Sequence, residues 1–350
     1  MRRAQVGALL LGVALLAACA SPGYYWQAAR GQWALSRDAR PVDEVLADPA
    51  TPETLLRDLS ATRRMLAFAA QRLALPAEGA YTRWVATGRD AVVWNVVAAP
   101  EFSVTPKTWC FPVAGCVAYR GYFEREAAER FAVGLRERGL DVAVVPATAY
   151  STLGWFDDPL LDTMLRGGEL RTAAVLFHEL AHRRVYAGGD TSFSESYARF
   201  VERLGVTEWL IASGRDADLP RWQAALDLAD RGEALLLDAR RALESLYASE
   251  APPEDMRARK QAILAELVRG LDREAGSAQA WIGTEPNNAH LALAASYASG
   301  QCHFADLLAS VGGDMHAFHD AVQQLADSTP AERAEWLNAP CPDIAPPGDL

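Results

Sequence analysis

The stretch Glu169-Leu170-Arg171-Thr172-Ala173-Ala174-Val175-Leu176-Phe177-His178-Glu179-Leu180-Ala181-His182-Arg183-Arg184-Val185-Tyr186 decides what kind of molecule this is. It contains no Gly or Pro, and Leu170, Ala174, Phe177, Ala181 and Val185 recur at helical spacing, which predicts a helix with one buried face. His178 and His182, four residues apart, then stand side by side on the flank of that face. Two imidazoles so placed can grip one metal ion, and Glu179, about a third of a turn away, can reach a water beside it as general base. With only 6 histidines among 350 residues, a chance His-Glu-x-x-His is roughly a one-in-a-hundred event.

A zinc site of this kind needs a third protein ligand. Ala187-Gly188-Gly189 breaks the helix, and Asp190-Thr191-Ser192-Phe193-Ser194-Glu195-Ser196-Tyr197-Ala198-Arg199-Phe200-Val201-Glu202 opens a second amphipathic one. The metzincin pattern, with Gly three and His six residues after the second histidine, is excluded by Val185 and Gly188. Glu195-x-x-Ala198 instead resembles the glutamate-ligand helix of gluzincins, where a small alanine lets that helix lie close against the first. Glu195 is the expected third ligand. Glu202, two turns on along nearly the same face, is the alternative, with Asp190 behind it. Ser192-x-x-Glu195 also fits a capping box, in which the glutamate would fold back on its own helix N-terminus.

Outward from this centre the chain reads as helices around a short β segment. Thr51-Pro52-Glu53 starts a helix whose Leu55, Leu59, Leu66 and Leu73 share a face. The β-branched run between Asp90 and Ala99, together with Val117–Phe123 and Asp141–Val145, predicts a small mixed sheet, with a helix over 124–139 between its strands. Two long helices over 219–248 and 255–275, joined at Ala251-Pro252-Pro253, form an αα-hairpin seamed by Leu235, Ala239, Leu243 and Leu246 and by Leu264, Leu267 and Leu271. The fold class expected is α+β, helix-dominated and zincin-like, with residues 19–350 as a single domain.

At the N-terminus, Arg2 and Arg3 precede an apolar run from Val6 to Ala17, the pattern of a signal peptide too short to span a bilayer. Its end, Leu16-Ala17-Ala18-Cys19, looks like a bacterial lipobox, so residues 1–18 would be removed and Cys19 acylated. Ala18-Cys19-Ala20 also satisfies the small-x-small rule for ordinary cleavage after Ala20. Acyl chains on Cys19 would hold the protein on a membrane without a transmembrane helix. Ala20, in place of aspartate, points by resemblance to Gram-negative lipoproteins to the periplasmic face of the outer membrane. Setting Cys19 aside leaves four of 5 cysteines for an oxidising compartment, where Cys110 would bridge Cys116 and Cys302 would bridge Cys341. Their spacings do not suit a Cys-x-x-Cys zinc knuckle. Composition agrees: 50% hydrophobic and 23% charged residues exclude a polytopic membrane protein. A net charge of −11 without a basic stripe argues against a nucleic-acid partner.

The segments Thr108–Phe123, Ala149–Pro159, His178–His182 and Ser194–Ala198, with Cys19–Gln32, resemble the zinc aminopeptidase lipoprotein family of proteobacteria, and the resemblance spans most of the chain. Ser194 stands where that family's pattern leads one to expect asparagine. The resemblance implies one zinc ion, a peptide substrate and hydrolysis by metal-activated water with Glu179 as base. A non-catalytic lipoprotein of the same fold, acting in binding or envelope assembly, is the second reading. Three further expectations concern single segments. Thr148–Trp155 is a candidate edge strand for holding an extended peptide. Tyr297 is a candidate oxyanion stabiliser, with His290 next. His316, His319 and Asp314 form a loose cluster that is left outside the site.

Overall fold

A computed structural model describes residues 22–111, 115–152, 157–274, 281–294 and 300–341. The first half runs α1 (Pro22–Asp38), β1 (Arg40–Pro41), α2 (Val42–Ala47), α3 (Glu53–Arg72), β2 (Arg83–Val85), β3 (Val93–Pro100), β4 (Trp109–Phe111), β5 (Gly115–Val117), β6 (Tyr119–Tyr122), α4 (Arg125–Arg136), β7 (Leu140–Ala147) and β8 (Leu160–Leu161). The second half is helical: α5 (Glu169–Arg184), α6 (Thr191–Ala212), α7 (Leu219–Tyr247), α8 (Pro253–Glu274), α9 (Asn288–Ala294), α10 (Gln301–Ser310), α11 (Met315–Ala326) and α12 (Pro330–Asn338). The class is α+β with helix dominating. Among the described residues no helix is long and apolar enough to cross a membrane. The signal segment 1–18, Cys19 and Tyr297 lie outside the described residues.

Strand β3 is the centre of an antiparallel sheet ordered β6-β3-β7. Successive side chains on a strand point to opposite faces. Val96 and Ala98 accordingly meet Ala128, Ala132 and Leu135 of α4, while Val97 meets Ala289 and Leu293 of α9. Both faces are covered, which is why the run is apolar without alternation. A second small sheet, β1-β2-β8, is mixed, β2 pairing antiparallel with β1 and parallel with β8.

The segment Val117–Phe123, expected as one strand, divides at Ala118. Its first part pairs with β4 in a ribbon crosslinked by Cys110–Cys116, and its second pairs with β3. Different partners pull the two halves into different sheets. The hairpin α7/α8 follows its expected seam but for one position: Ala239, Leu243 and Leu246 bury against Leu264, Leu267 and Leu271, while Leu236 takes the buried place expected of Leu235, which is only partly buried. A second disulfide joins Cys302 at the start of α10 to Cys341 beyond α12.

Helix α5 departs from the one-faced expectation. Thr172 to Phe177 and Leu180 to His182 are all buried, so the helix is enclosed on nearly every side. Helix α3 lies on one flank, with Phe68 against Phe177, and α6 packs along another. A central helix shows a weak apolar stripe because most of its circumference is core.

Candidate metal centre

Asp190 immediately precedes helix α6, and its carboxylate accepts from Phe193 N at 3.0 Å and pairs with the buried Arg333 at 2.8 Å. Asp190 therefore serves as helix cap, and the capping role that Ser192 and Glu195 could have shared is taken. Glu195 is left to turn toward α5, where Ala198 is fully buried.

Three side chains from the two helices meet. His178 Nε2 lies 3.1 Å from His182 Nε2 and 3.3 Å from Glu195 Oε2, and His182 Nε2 lies 3.7 Å from the same oxygen. All three ligand atoms fall within 4.8 Å of one another, the one such group among the described residues. Glu202 takes a different place: its Oε2 accepts from His178 Nδ1 at 3.1 Å. That bond places a ring proton on Nδ1 and turns Nε2 toward the cluster, where a metal could take its lone pair, the arrangement by which carboxylates orient metal-bound histidines. His182 Nδ1, by contrast, is buried without a hydrogen-bond partner among the described residues.

The donor set fits zinc. Ligand distances of about 2.0–2.1 Å in a tetrahedral arrangement require donor atoms about 3.3 Å apart. The three separations straddle that value. Two ring lone pairs 3.1 Å apart beside one carboxylate repel unless a proton or a cation lies among them. Burial opposes charge on His178, but the hydrogen bonds to Glu195 and Glu202 outweigh it and hold its pKa up at about 10. Burial likewise disfavours the Glu195 carboxylate, yet the charge of His182 and the hydrogen bond from His178 hold its pKa well below the usual range.

Glu179 stands beside this cluster in a cavity of about 350 Å³. Burial raises its pKa, the two histidines pull it down, and the negative charges of Glu195 and Asp158 raise it again, leaving it above the ordinary glutamate value. A carboxylate raised in this way is a stronger base than an ordinary glutamate. Apolar walls come from Phe111 and Val117 of the disulfide ribbon and from Phe123, with Tyr24 and Ala28 contributed by α1. The ribbon is seated on the α5–α6 connection: a Cβ on Gly115, whose φ is +72°, would lie 2.6 Å from Gly189 N.

Two tyrosines also face the cavity. Tyr119 of β6 and Tyr186, just past α5, both line it, and burial, followed by the charge of Glu195, raises each phenol above its ordinary value. Both stay protonated donors at neutral pH. Neither was singled out by sequence reasoning, because a tyrosine on a short strand carries no motif of its own.

Other expectations resolve differently. Residues 148–152 form no strand, and 153–156 lie outside the described residues. The segment turns onto the buried Asp158, which accepts from Thr152 N and Thr152 Oγ1, each at 2.8 Å, and from Ser151 Oγ at 3.4 Å. An N–H captured by a side chain is lost to a ladder. Strand β6, an edge of its sheet, faces the cavity instead through Tyr119 and Gly121. His290 is buried on α9 beside Trp281, its ring bonded to Asn287, and does not line the cavity. Asp314 caps α11, and His319 bridges Tyr197 Oη and Leu73 O, so that cluster is structural.

A family model described as "Putative aminopeptidase" matches residues 23–337 of the chain. No curated protein and no solved structure matches it.

Proposed function

Since the chain belongs to this aminopeptidase family, whose model covers most of its length, we propose that it is a zinc-dependent peptidase of zincin type, tethered to a membrane in the periplasm. The observation that carries the proposal is the convergence of His178, His182 and Glu195 on one point, with Glu179 beside them in a cavity. Zinc held by those three residues would supply a Lewis acid for the scissile carbonyl and would make water acidic enough to attack at neutral pH.

The protein's own groups do the rest. Glu179 takes a proton from the attacking water and delivers it to the leaving amine as the C–N bond breaks. Tyr119 donates a hydrogen bond to the oxygen that gains charge in the transition state. Glu202 holds His178 in the tautomer that presents Nε2. The walls of Phe111, Phe123 and Tyr150 exclude bulk water, which strengthens each of these polar contacts. Substrate is a peptide cut near its amino end, in keeping with the family's description. The tether is lipid on Cys19, with the outer membrane's inner leaflet as its location.

Metal analysis combined with an unbiased peptide library tests the reading. The purified protein should carry about one zinc per chain, and the position of cleavage should reveal removal of N-terminal residues. Glu179→Gln should lower kcat by about 10³-fold while zinc content stays the same. Hydrolysis that persists in that variant, or wild-type protein that neither binds zinc nor cuts any peptide, overturns the proposal.

A further inference from the structure

Helix α1 presents two unlike faces. On the inner one, Tyr24 packs against Phe111 and Tyr122 with the Arg120 guanidinium 4.1 Å from its ring. Gln27 accepts from Phe123 N at 3.1 Å and donates to Gly121 O at 3.3 Å, so it covers the open edge of β6. Gly31 rests on the Phe123 ring so closely that a Cβ there would lie 2.2 Å from it. The helix is thus docked firmly, and its rotation about its own axis is fixed.

The outer face carries Trp26, Arg30, Trp33 and Arg37, which follow one another at helical spacing. Trp26 is 72% exposed and Trp33 62%, and these are two of the four large hydrophobic side chains that the described residues leave exposed. Arg37 lies 5.1 Å from the Trp33 ring. Within the helix Asp38, its last residue, is the one acid, although the chain as a whole carries −11. Indole rings with one apolar body and one N–H, interleaved with arginines, suit the layer where acyl chains give way to phosphate headgroups. Arg37 is itself held by Asp38 at 2.7 and 2.9 Å, which leaves Arg30 to meet an anionic headgroup, so the two outward indoles carry the preference for that layer.

Location adds an independent argument. Helix α1 starts at Pro22, and Cys19 lies three residues upstream, a reach of about 10 Å at most. An acylated Cys19 would bring the start of α1 to the bilayer surface, and the helix, about 25 Å long, would then lie along it or rise away from it. The outward tryptophans decide between the two.

We propose that α1 lies on the membrane with Trp26, Arg30, Trp33 and Arg37 seated among phospholipid headgroups. Because the same helix lines the site cavity with Tyr24 and Ala28, this seating fixes how the cavity faces the bilayer. The location argument rests on the lipid-anchor reading; the face itself does not.

The test separates the two. Protein starting at residue 19 with Cys19→Ser is mixed with vesicles of phosphatidylethanolamine and phosphatidylglycerol in a three-to-one mixture, some carrying brominated acyl chains. Co-sedimentation, quenching of tryptophan emission by bromine and weakening by added salt are expected. Trp26→Ala/Trp33→Ala should reduce partitioning about tenfold or more, with an unchanged melting temperature because both side chains are exposed. A double variant that binds like its parent overturns the proposal, as does a parent that fails to bind these vesicles. Sedimentation without vesicles that the double variant abolishes also overturns it, in favour of self-association. The N-terminal mass of membrane-extracted wild type judges the anchor alone: an unmodified Cys19 with intact vesicle binding removes the anchor and keeps the face.

Discussion

At the scale of single residues, the difference between Glu195 and Glu202 shows what spacing can and cannot say. Both lie on one side of α6 within two turns, and a pattern of carboxylates along a helix cannot tell a ligand from the group that orients a ligand. The structure separates them by ring nitrogen: Glu195 approaches His178 at Nε2, Glu202 at Nδ1. Their replacements should therefore differ. Glu202→Ala should leave zinc binding in place but weaken it by about 10–100-fold, the usual cost of losing an orienting carboxylate. Glu195→Ala should remove the ion altogether. Zinc titration against a competing chelator measures both, and equal affinity in Glu202→Ala and wild type would sink the orienting role. Tyr119 offers a sharper kinetic contrast. If its phenol serves only the transition state, Tyr119→Phe lowers kcat by about 10²-fold with KM and zinc content nearly unchanged. A rise in KM with kcat intact would make it a substrate-binding residue instead.

At the scale of elements, long helices announce themselves and short strands do not. The seams of α7 and α8 could be read from leucine spacing because each helix repeats its instruction over many turns. Strand β6 has four residues, and what makes it a strand is pairing with β3, far away in the chain. Residues 148–152 of the expected edge strand form none for a related reason: Asp158 captures the backbone of Thr152, and no local pattern announces that buried carboxylate. The histidine motif was legible because its chemistry is local to one helix. The wall facing it was not, since the β4–β5 ribbon reaches the site only by folding onto the α5–α6 connection. Gly115 makes that contact possible, with positive φ and with no room for a Cβ against Gly189 N. Because the obstruction is backbone on both sides, Gly115→Ala should cost at least about 1–2 kcal/mol. It should also lift the ribbon from the cavity, raising KM more than it lowers kcat. Chemical denaturation together with steady-state kinetics would show it, and a neutral substitution would mean that the ribbon does not hold this seat in solution.

At the scale of the whole molecule, the C-terminal helices support the site without entering it. Phe304, Phe318 and Trp336 pack with Phe193, Tyr197 and Phe200 of α6, and Arg333 binds the cap of that helix. His319 joins three elements at once. Leu73 O can only accept, so Nε2 must donate to it at 2.8 Å, and Nδ1 then accepts from Tyr197 Oη at 2.8 Å. This is a neutral ring in a fully buried position. Burial chiefly pushes its pKa down to about 4, with the Leu73 carbonyl opposing, and burial does the same to His290. The unfolded chain, with histidine near 6.5, binds more protons than the folded one between these values. Each ring's contribution is therefore complete above pH 6.5 and is lost as pH falls toward 4, by roughly 3 kcal/mol per histidine. His319→Gln tests this, since an amide can donate to Leu73 O and accept from Tyr197 but does not titrate. Urea unfolding followed from neutral to acid pH should give the variant a loss of stability smaller than wild type by about that amount. Identical pH profiles would mean that the ring is already solvated. A variant that instead loses zinc at neutral pH, with its acid slope unchanged, would show that His319 acts through Tyr197 on the placement of Glu195.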